Sequence, residues 1–205
     1  LLEVIWKLVV RLLVGRLEAV ELHDCLHGFR AKRGCGTGIL EAKLAQQLAF
    51  VERTPLYAIF VGLRKAYGAM DRGRCLKILR DAGVGEKALC LIARFWRDAK
   101  LVCRARGRYG QPVRARRGVT QGGPLSPTIF NVMVAAVVRE WLRNALTPAD
   151  AAQAIQDVRR LLAAFYADDG LIVDRDTDRL QAAFDELTAL FDRVGLKTNA
   201  KKTEV

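Results

Sequence analysis

Apolar positions along the chain repeat with two periods, near three and a half residues and near two, and the switches between them lay out the elements. In LLEVIWKLVVRLLVGRLEAV (1–20), Glu3, Lys7, Arg11, Arg16 and Glu18 interrupt the apolar residues at helical intervals. This predicts an amphipathic helix and excludes a signal peptide or membrane span. Residues 22–38 are rich in glycine and basic side chains, the composition of a loop with exposed cations. Ile39, Leu40, Leu44, Leu48 and Phe50 then repeat as a second helix. PLYAIFVGL (55–63), a short apolar run behind a proline, predicts a buried strand. Residues 74–84 and 87–99 read as two helices parted by a turn at Gly83–Gly85.

Residues 100–119, KLVCRARGRYGQPVRARRGV, alternate apolar and basic positions about GRYGQP, which predicts a hairpin with its arginines on one side. LSPTIFNVMVAAVVREWLRNAL (125–146) predicts a long apolar helix, with Ser126 as its cap and Pro127 in its first position. Residues 147–160 read as a polar connection with some helix. LLAAFYADDGLIVDRD (161–176) is a pair of apolar runs about DDG, hence a second hairpin. Residues 178–195 form a last amphipathic helix closed by Gly195. No repeat or low-complexity tract interrupts this order. Irregular alternation with hairpins as the clearest strands predicts an α+β fold, an antiparallel sheet with helices packed on one face.

The 205 residues, 51% hydrophobic, suit one domain or a domain with a smaller lobe. Lysine plus arginine (34) outnumber aspartate plus glutamate (22), a net charge of +12. That balance points to a polyanionic partner, most simply nucleic acid, although a membrane surface or a ribosomal neighbour would give the same sign. Five cysteines with no C-x-x-C pair exclude a disulfide framework and a zinc ribbon and predict an intracellular protein, in nucleus or cytoplasm. The chain opens without methionine and stops at KKTEV, so it is expected to be a piece of a longer protein.

Two stretches carry candidate chemistry. Asp168 and Asp169 stand together between apolar arms. They read either as a solvated turn, with Asp169–Gly170 as a common hairpin pair, or as two carboxylates projecting into a cleft and neutralised by a divalent cation. In RRGVTQGGPLSPTIFN (116–131), Gly122 and Gly123 would let the backbone approach a phosphate-bearing or planar ligand, with the Gln121 amide beside them. An ordinary loop entering a helix reads the same way, and the P-loop pattern is absent.

Taken in order, QGGPLSPTIFN (121–131) and FYADDG (165–170) resemble the palm motifs of reverse transcriptases, most closely those of non-LTR retroelements and group II intron-type enzymes. HGFRAKRG (27–34) resembles the fingers segment before the palm. FVGLRKAYGAMDR (60–72) resembles the strand and helix that carry the first catalytic aspartate, and GLKTNAKKTEV (195–205) the segment after the aspartate pair. The resemblance implies a polymerase palm over 57–205 with partial helical fingers over 1–56 and no thumb. It implies template-directed nucleotidyl transfer with RNA template, DNA primer and dNTP, using two Mg2+ or Mn2+ ions about 4 Å apart.

By the same resemblance, Asp168 is the metal ligand shared by both ions and Asp169 stands beside it. The family's aromatic-x-Asp-Leu pattern places its first catalytic aspartate at Gly62, and Gly68 also stands where relatives carry aspartate. Asp and Gly codons differ by one base, and glycine inside a buried strand has no packing advantage. Asp71, nine residues on and expected on a helix, does not substitute. Weak or absent polymerase activity is therefore expected. Tyr67 resembles the aromatic residue under the incoming sugar, with a tyrosine packed on the helix base as the other reading. Arg30 and Arg33 resemble triphosphate contacts, and Lys202 a lysine near the leaving pyrophosphate; solvated charge is the alternative for all three. Arg104, Arg106, Arg108, Arg114, Arg116 and Arg117 are expected to include contacts to template and primer. Two further readings are a noncatalytic nucleic-acid-binding protein that kept the fold, and a relic without a stable fold.

Overall fold

The computed structural model describes residues 2–119, 123–145, 162–199 and 203. Helix α1 spans Leu2–Glu18 and α2 spans Cys35–Glu52. The latter starts where the Thr37 hydroxyl accepts from the Gly34 N–H (3.1 Å) and donates to the Gly34 carbonyl (2.7 Å). Strand β1 (Tyr57–Gly62) leads through a single helical turn, α3 (Ala66–Ala69), into α4 (Arg72–Asp81) and α5 (Glu86–Asp98). Asp71 caps α4, its carboxylate accepting from the Arg74 N–H at 2.9 Å. Four short strands follow, β2 (Lys100–Leu101), β3 (Arg104–Ala105), β4 (Arg108–Tyr109) and β5 (Val113–Arg114). Helix α6 (Leu125–Ala145), strands β6 (Leu162–Tyr166) and β7 (Asp169–Asp174) and helix α7 (Thr177–Arg193) complete the order. Asp176 caps α7, and Gly195, at φ 81°, lets the Leu196 N–H return to the Phe191 carbonyl at 2.9 Å.

Strands β1, β7 and β6 form an antiparallel sheet in that order, with β7 central. Its register runs from Tyr57 opposite Asp174 to Gly62 opposite Asp169 on one side, and from Leu162 opposite Val173 to Tyr166 opposite Asp169 on the other. Alternation puts Ile59, Val61, Ile172, Ala163 and Phe165 on one face, where they join the core with Phe130, Met133 and Trp141 of α6 and Leu187 and Phe191 of α7. The Trp141 indole N–H, donating to the Ala183 carbonyl at 2.8 Å, ties these two helices together. Buried Asp174 is matched by the Arg179 guanidinium from the first turn of α7 (Nε to Oδ2, 2.7 Å).

The opposite face, with Ala58, Phe60, Leu171 and Ala164, is not free of helix, contrary to the one-sided packing expected. Helix α2 lies against β6, bringing Gly38 up to Ala164. Between α2 and the sheet an apolar groove of about 650 Å³ remains, lined among others by Ile39, Phe50, Phe60 and Leu171. The residues of α2 carry apolar side chains on more than one flank, so the helix covers one side of the sheet and still exposes Leu40, Leu44 and Val51.

At the end of the sheet that holds the aspartates, short segments extend it on both sides. Leu26 bridges Phe165 in parallel, with the His27 N–H donating to the Phe165 carbonyl (2.8 Å) and the Phe165 N–H to the Cys25 carbonyl (2.7 Å). Beyond β1, Leu63 bridges Thr198; the Arg64 N–H reaches the Lys197 carbonyl (2.7 Å) and the Asn199 N–H the Gly62 carbonyl (2.8 Å).

Three local expectations are corrected. The basic hairpin turns at Arg106–Gly107, both at positive φ (49° and 77°), rather than about GRYGQP, because such a pair matches the twist of the flanking strands. Arg104 pairs with Tyr109 and Arg108 with Ala105, so the arginines fall on both faces rather than one. Helix α6 begins at Leu125, which puts Ser126 and Pro127 inside its first turn; the Ser126 N–H donates to the Gly123 carbonyl (3.1 Å). Pro127 is tolerated there because first-turn N–H groups have no helical partner to lose. The connection at 147–160, together with Gln121, Gly122 and Lys202, lies outside the described residues.

Candidate active site

The β6–β7 hairpin turns at Ala167–Asp168, closed by the Tyr166–Asp169 pair, with Ala167 at φ 53°. Asp169 and Gly170 are therefore strand residues, and the turn reading of that dipeptide is corrected. Gly170 is fixed by what lies opposite it: a Cβ there would stand 2.6 Å from the Phe165 ring. Asp168 is half-buried at the tip and Asp169 is exposed.

The tip is held from three directions. From β1, the Leu63 N–H donates to the Asp168 carbonyl at 2.9 Å, next to the Gly62–Asp169 pair. From the loop before α2, Gly28 lies so close that a Cβ would come within 2.8 Å of the Ala167 nitrogen, and Phe29 meets Tyr166 ring to ring at 5.7 Å. From α6, the buried Asn131 amide donates to the Gly28 carbonyl at 2.6 Å. The sheet thus brings residue 62, Asp168 and Asp169 to one place, with Gly62 itself buried.

Tyr67 stands beside them, its ring stacked on Phe130 at 4.9 Å between centroids. Burial raises its phenol above the ordinary range, and the nearby Asp168 carboxylate and Tyr166 add to the shift. The segment entering the glycine loop docks on the same turn, with the Gly118 N–H on the Met70 carbonyl and the Val119 N–H on the Tyr67 carbonyl, both at 2.8 Å. Gly118 has φ 76°, and a Cβ would meet the Tyr67 oxygen at 2.6 Å. Gly68 is exposed, and nothing lies within 4 Å of where a Cβ on it would stand, although its backbone packs against Gly118. Asp71, expected on a helix, stands just before α4 in extended backbone and is committed to capping it.

Arg30 and Arg33 serve the loop that carries them. Arg30 donates to the carbonyls of His23 (2.8 Å) and Leu26 (2.9 Å), and Arg33 to the carbonyl (2.5 Å) and carboxylate (2.6 Å) of Asp24. Gly123 is half-buried and accepts the first hydrogen bond of α6. Asn131, Gly118 and Gly28 escaped sequence reasoning as site-building residues. Only Asn131, a polar residue inside an apolar run, carried a local signal.

Among the described residues no group of three or more His, Cys, Asp or Glu side chains could hold a metal ion. Asp168 and Asp169 are adjacent carboxylates, the donor type that hard divalent cations take. Residue 62, opposite Asp169 on β1, is a glycine and offers no side-chain oxygen to this corner.

Solved telomerase structures share this fold. The chain superposes on telomerase from Candida tropicalis bound to a fragment of telomeric RNA with a TM-score of 0.70 at 14% identity, covering 97% of this chain and 32% of that one. The corresponding Candida albicans complex gives 0.69 at 14% identity, over 96% of this chain and 35% of that one. In sequence the chain is similar to the Retrovirus-related Pol polyprotein from type-1 retrotransposable element R2. It is 28% identical to that of Popillia japonica over 199 residues, 96% of this chain and 27% of the relative. With that of Nasonia vitripennis it is 26% identical over 169 residues, 81% of this chain and 15% of the relative. The chain thus spans about a quarter or less of the length of these curated relatives. The sequence profile of the reverse transcriptase (RNA-dependent DNA polymerase) family matches residues 1–205, and the chain belongs to that family.

Proposed function

We propose that this chain is the fingers–palm portion of a non-LTR retroelement reverse transcriptase whose nucleotidyl transfer is impaired at residue 62. Residues 1–56 are taken as partial fingers and 57–205 as palm. One observation carries the reading: Gly62 pairs in register with Asp169, one residue from the hydrogen bond between Leu63 and the Asp168 carbonyl. On this reading the carboxylates facing a transferring phosphoryl group come from the β6–β7 tip, and the paired position on β1 supplies none. A divalent ion bound there would polarise the phosphoryl oxygens and help ionise the primer hydroxyl.

Asp168 and Asp169 supply the carboxylates for that ion, and Tyr67, braced by Phe130, forms the floor under the sugar of an incoming dNTP. Arg30, Arg33, Gln121, Gly122, Gly123 and Lys202 are assigned to the triphosphate and its surroundings by their family positions. RNA template and DNA primer are the expected partners of the excess positive charge. An intracellular setting, nucleus or cytoplasm, accords with five free thiols.

Primer extension on an RNA template in Mg2+ or Mn2+ tests this. Incorporation by the unmodified chain is expected to fall on the order of a thousandfold below that of Gly62→Asp, comparable to the loss of a preorganised electrostatic group. Robust extension by the unmodified chain, abolished by Asp168→Ala, rejects the role given to Gly62. The same glycine favours a second reading, a noncatalytic nucleic-acid binder. That protein would keep salt-dependent affinity for an RNA–DNA hybrid and gain no incorporation from Gly62→Asp.

A further inference from the structure

Residues 100–117 carry seven basic side chains, and no aspartate or glutamate occurs between Ala99 and Arg139. Every residue from Lys100 to Arg114 is exposed, as are Arg116 and Arg117. Among the described residues no ion pair joins any of the seven to a carboxylate. Concentrating like charges on a projecting ribbon is unfavourable unless an anion covers it.

The ribbon is nevertheless rigidly rooted. Arg72 of α4 donates to the carbonyls of Trp96 (2.7 Å), Ala115 (2.5 Å) and Gly118 (2.8 Å), and its guanidinium lies over the Trp96 ring at 5.8 Å. From that clamp to Arg106 is nine residues, a reach of at most about 30 Å. The outer half carries Arg104, Arg106, Arg108 and Tyr109, and Arg104 packs on the Tyr109 ring at 5.4 Å while Tyr109 as a whole stays 71% exposed.

We propose that this hairpin is a sequence-independent grip for single-stranded nucleic acid, with the arginines on successive phosphates and Tyr109 stacking a base, at a site separate from the acidic tip. The inference rests on the nucleic-acid reading above and adds where, outside the Asp168 region, a strand is held. Guanidinium forks match phosphate oxygens, and an exposed aromatic face among them suits unpaired bases, which a duplex does not offer. A membrane contact would place apolar residues at the outer end. Here Leu101, Val102 and Val113 lie at the root and the arginines outermost. The Gly118 and Val119 hydrogen bonds to Met70 and Tyr67 fix the root against the turn that follows residue 62.

Fluorescence anisotropy of the 205-residue chain with a labelled 20-nucleotide RNA strand, from 50 to 300 mM KCl, tests the proposal. Arg104→Gln, Arg106→Gln and Arg108→Gln combined should weaken binding tenfold or more at 100 mM. They should also reduce the log–log salt slope by about 2, since each phosphate contact on a single strand contributes about 0.7. The corresponding triple Lys variant should restore the slope, and Tyr109→Ala should weaken binding with the slope unchanged. Thermal melts establish that each variant folds. If the unmodified chain binds the strand and the Gln variant keeps its slope and affinity, the hairpin proposal is overturned while the functional reading stands. No salt-dependent binding by the unmodified chain overturns both. Hairpin-dependent flotation with vesicles of 30% phosphatidylserine, alongside an unaltered RNA slope, overturns it in favour of a lipid surface.

Discussion

A carboxylate at position 62 would stand opposite Asp169 and one residue from the backbone contact to Asp168, adding a third negative charge to a crowded corner. Like charges about 5 Å apart in a partly buried setting cost roughly 1–3 kcal/mol unless a cation relieves them. Gly62→Asp is therefore expected to melt several degrees below the unmodified chain in EDTA and to recover in millimolar Mg2+ or Mn2+. Equal melting temperatures with and without the ion would show that residue 62 does not face the aspartates. This opposition between stability and activity is legible in the sequence only through the motif, because the strand pattern alone gives Gly62 no partner. The requirement for glycine at 170 was not legible at all. It arises from the Phe165 ring on the neighbouring strand, a contact set by register rather than by neighbours in the chain.

Helices α4, α5 and α7 could be read from the sequence to within a few residues, because their apolar spacing and caps are local. The basic hairpin was found, but its turn was displaced: GRYGQP holds the usual punctuation, whereas the chain turns at Arg106–Gly107. The side chain that anchors this hairpin is Arg72, and nothing in its sequence neighbourhood marks that role. Its role depends on carbonyls up to 46 residues away in sequence, which no periodicity reveals. Arg72→Leu should destabilise the protein by about 2–3 kcal/mol in urea titrations by stranding those carbonyls, and should speed proteolytic cleavage within 100–119. Lys in its place should rescue little, since an ammonium group cannot span three acceptors as the planar fork does. Full stability of Arg72→Leu would mean that the clamp is dispensable.

At the level of the whole molecule, hairpins among amphipathic helices were enough to indicate an α+β sheet domain, and the fold is shared with telomerases at 14% identity. The second helix layer was not legible, because α2 presents apolar residues on several flanks and no single stripe says which one meets the sheet. The junction at Gly28 joins what looked like separate regions of the chain. Its flanking loop pairs with β6, its carbonyl is held from α6, and its α-carbon abuts the turn before Asp168. The amide protons of His27 and Phe165 should accordingly exchange with deuterium at the same slow rate. Rapid loss at His27 with Phe165 still protected would show that the two segments open independently. A segment pinned in this way cannot serve as a swinging hinge. Any opening of this protein must pivot farther out, leaving the aspartate corner as the stationary frame.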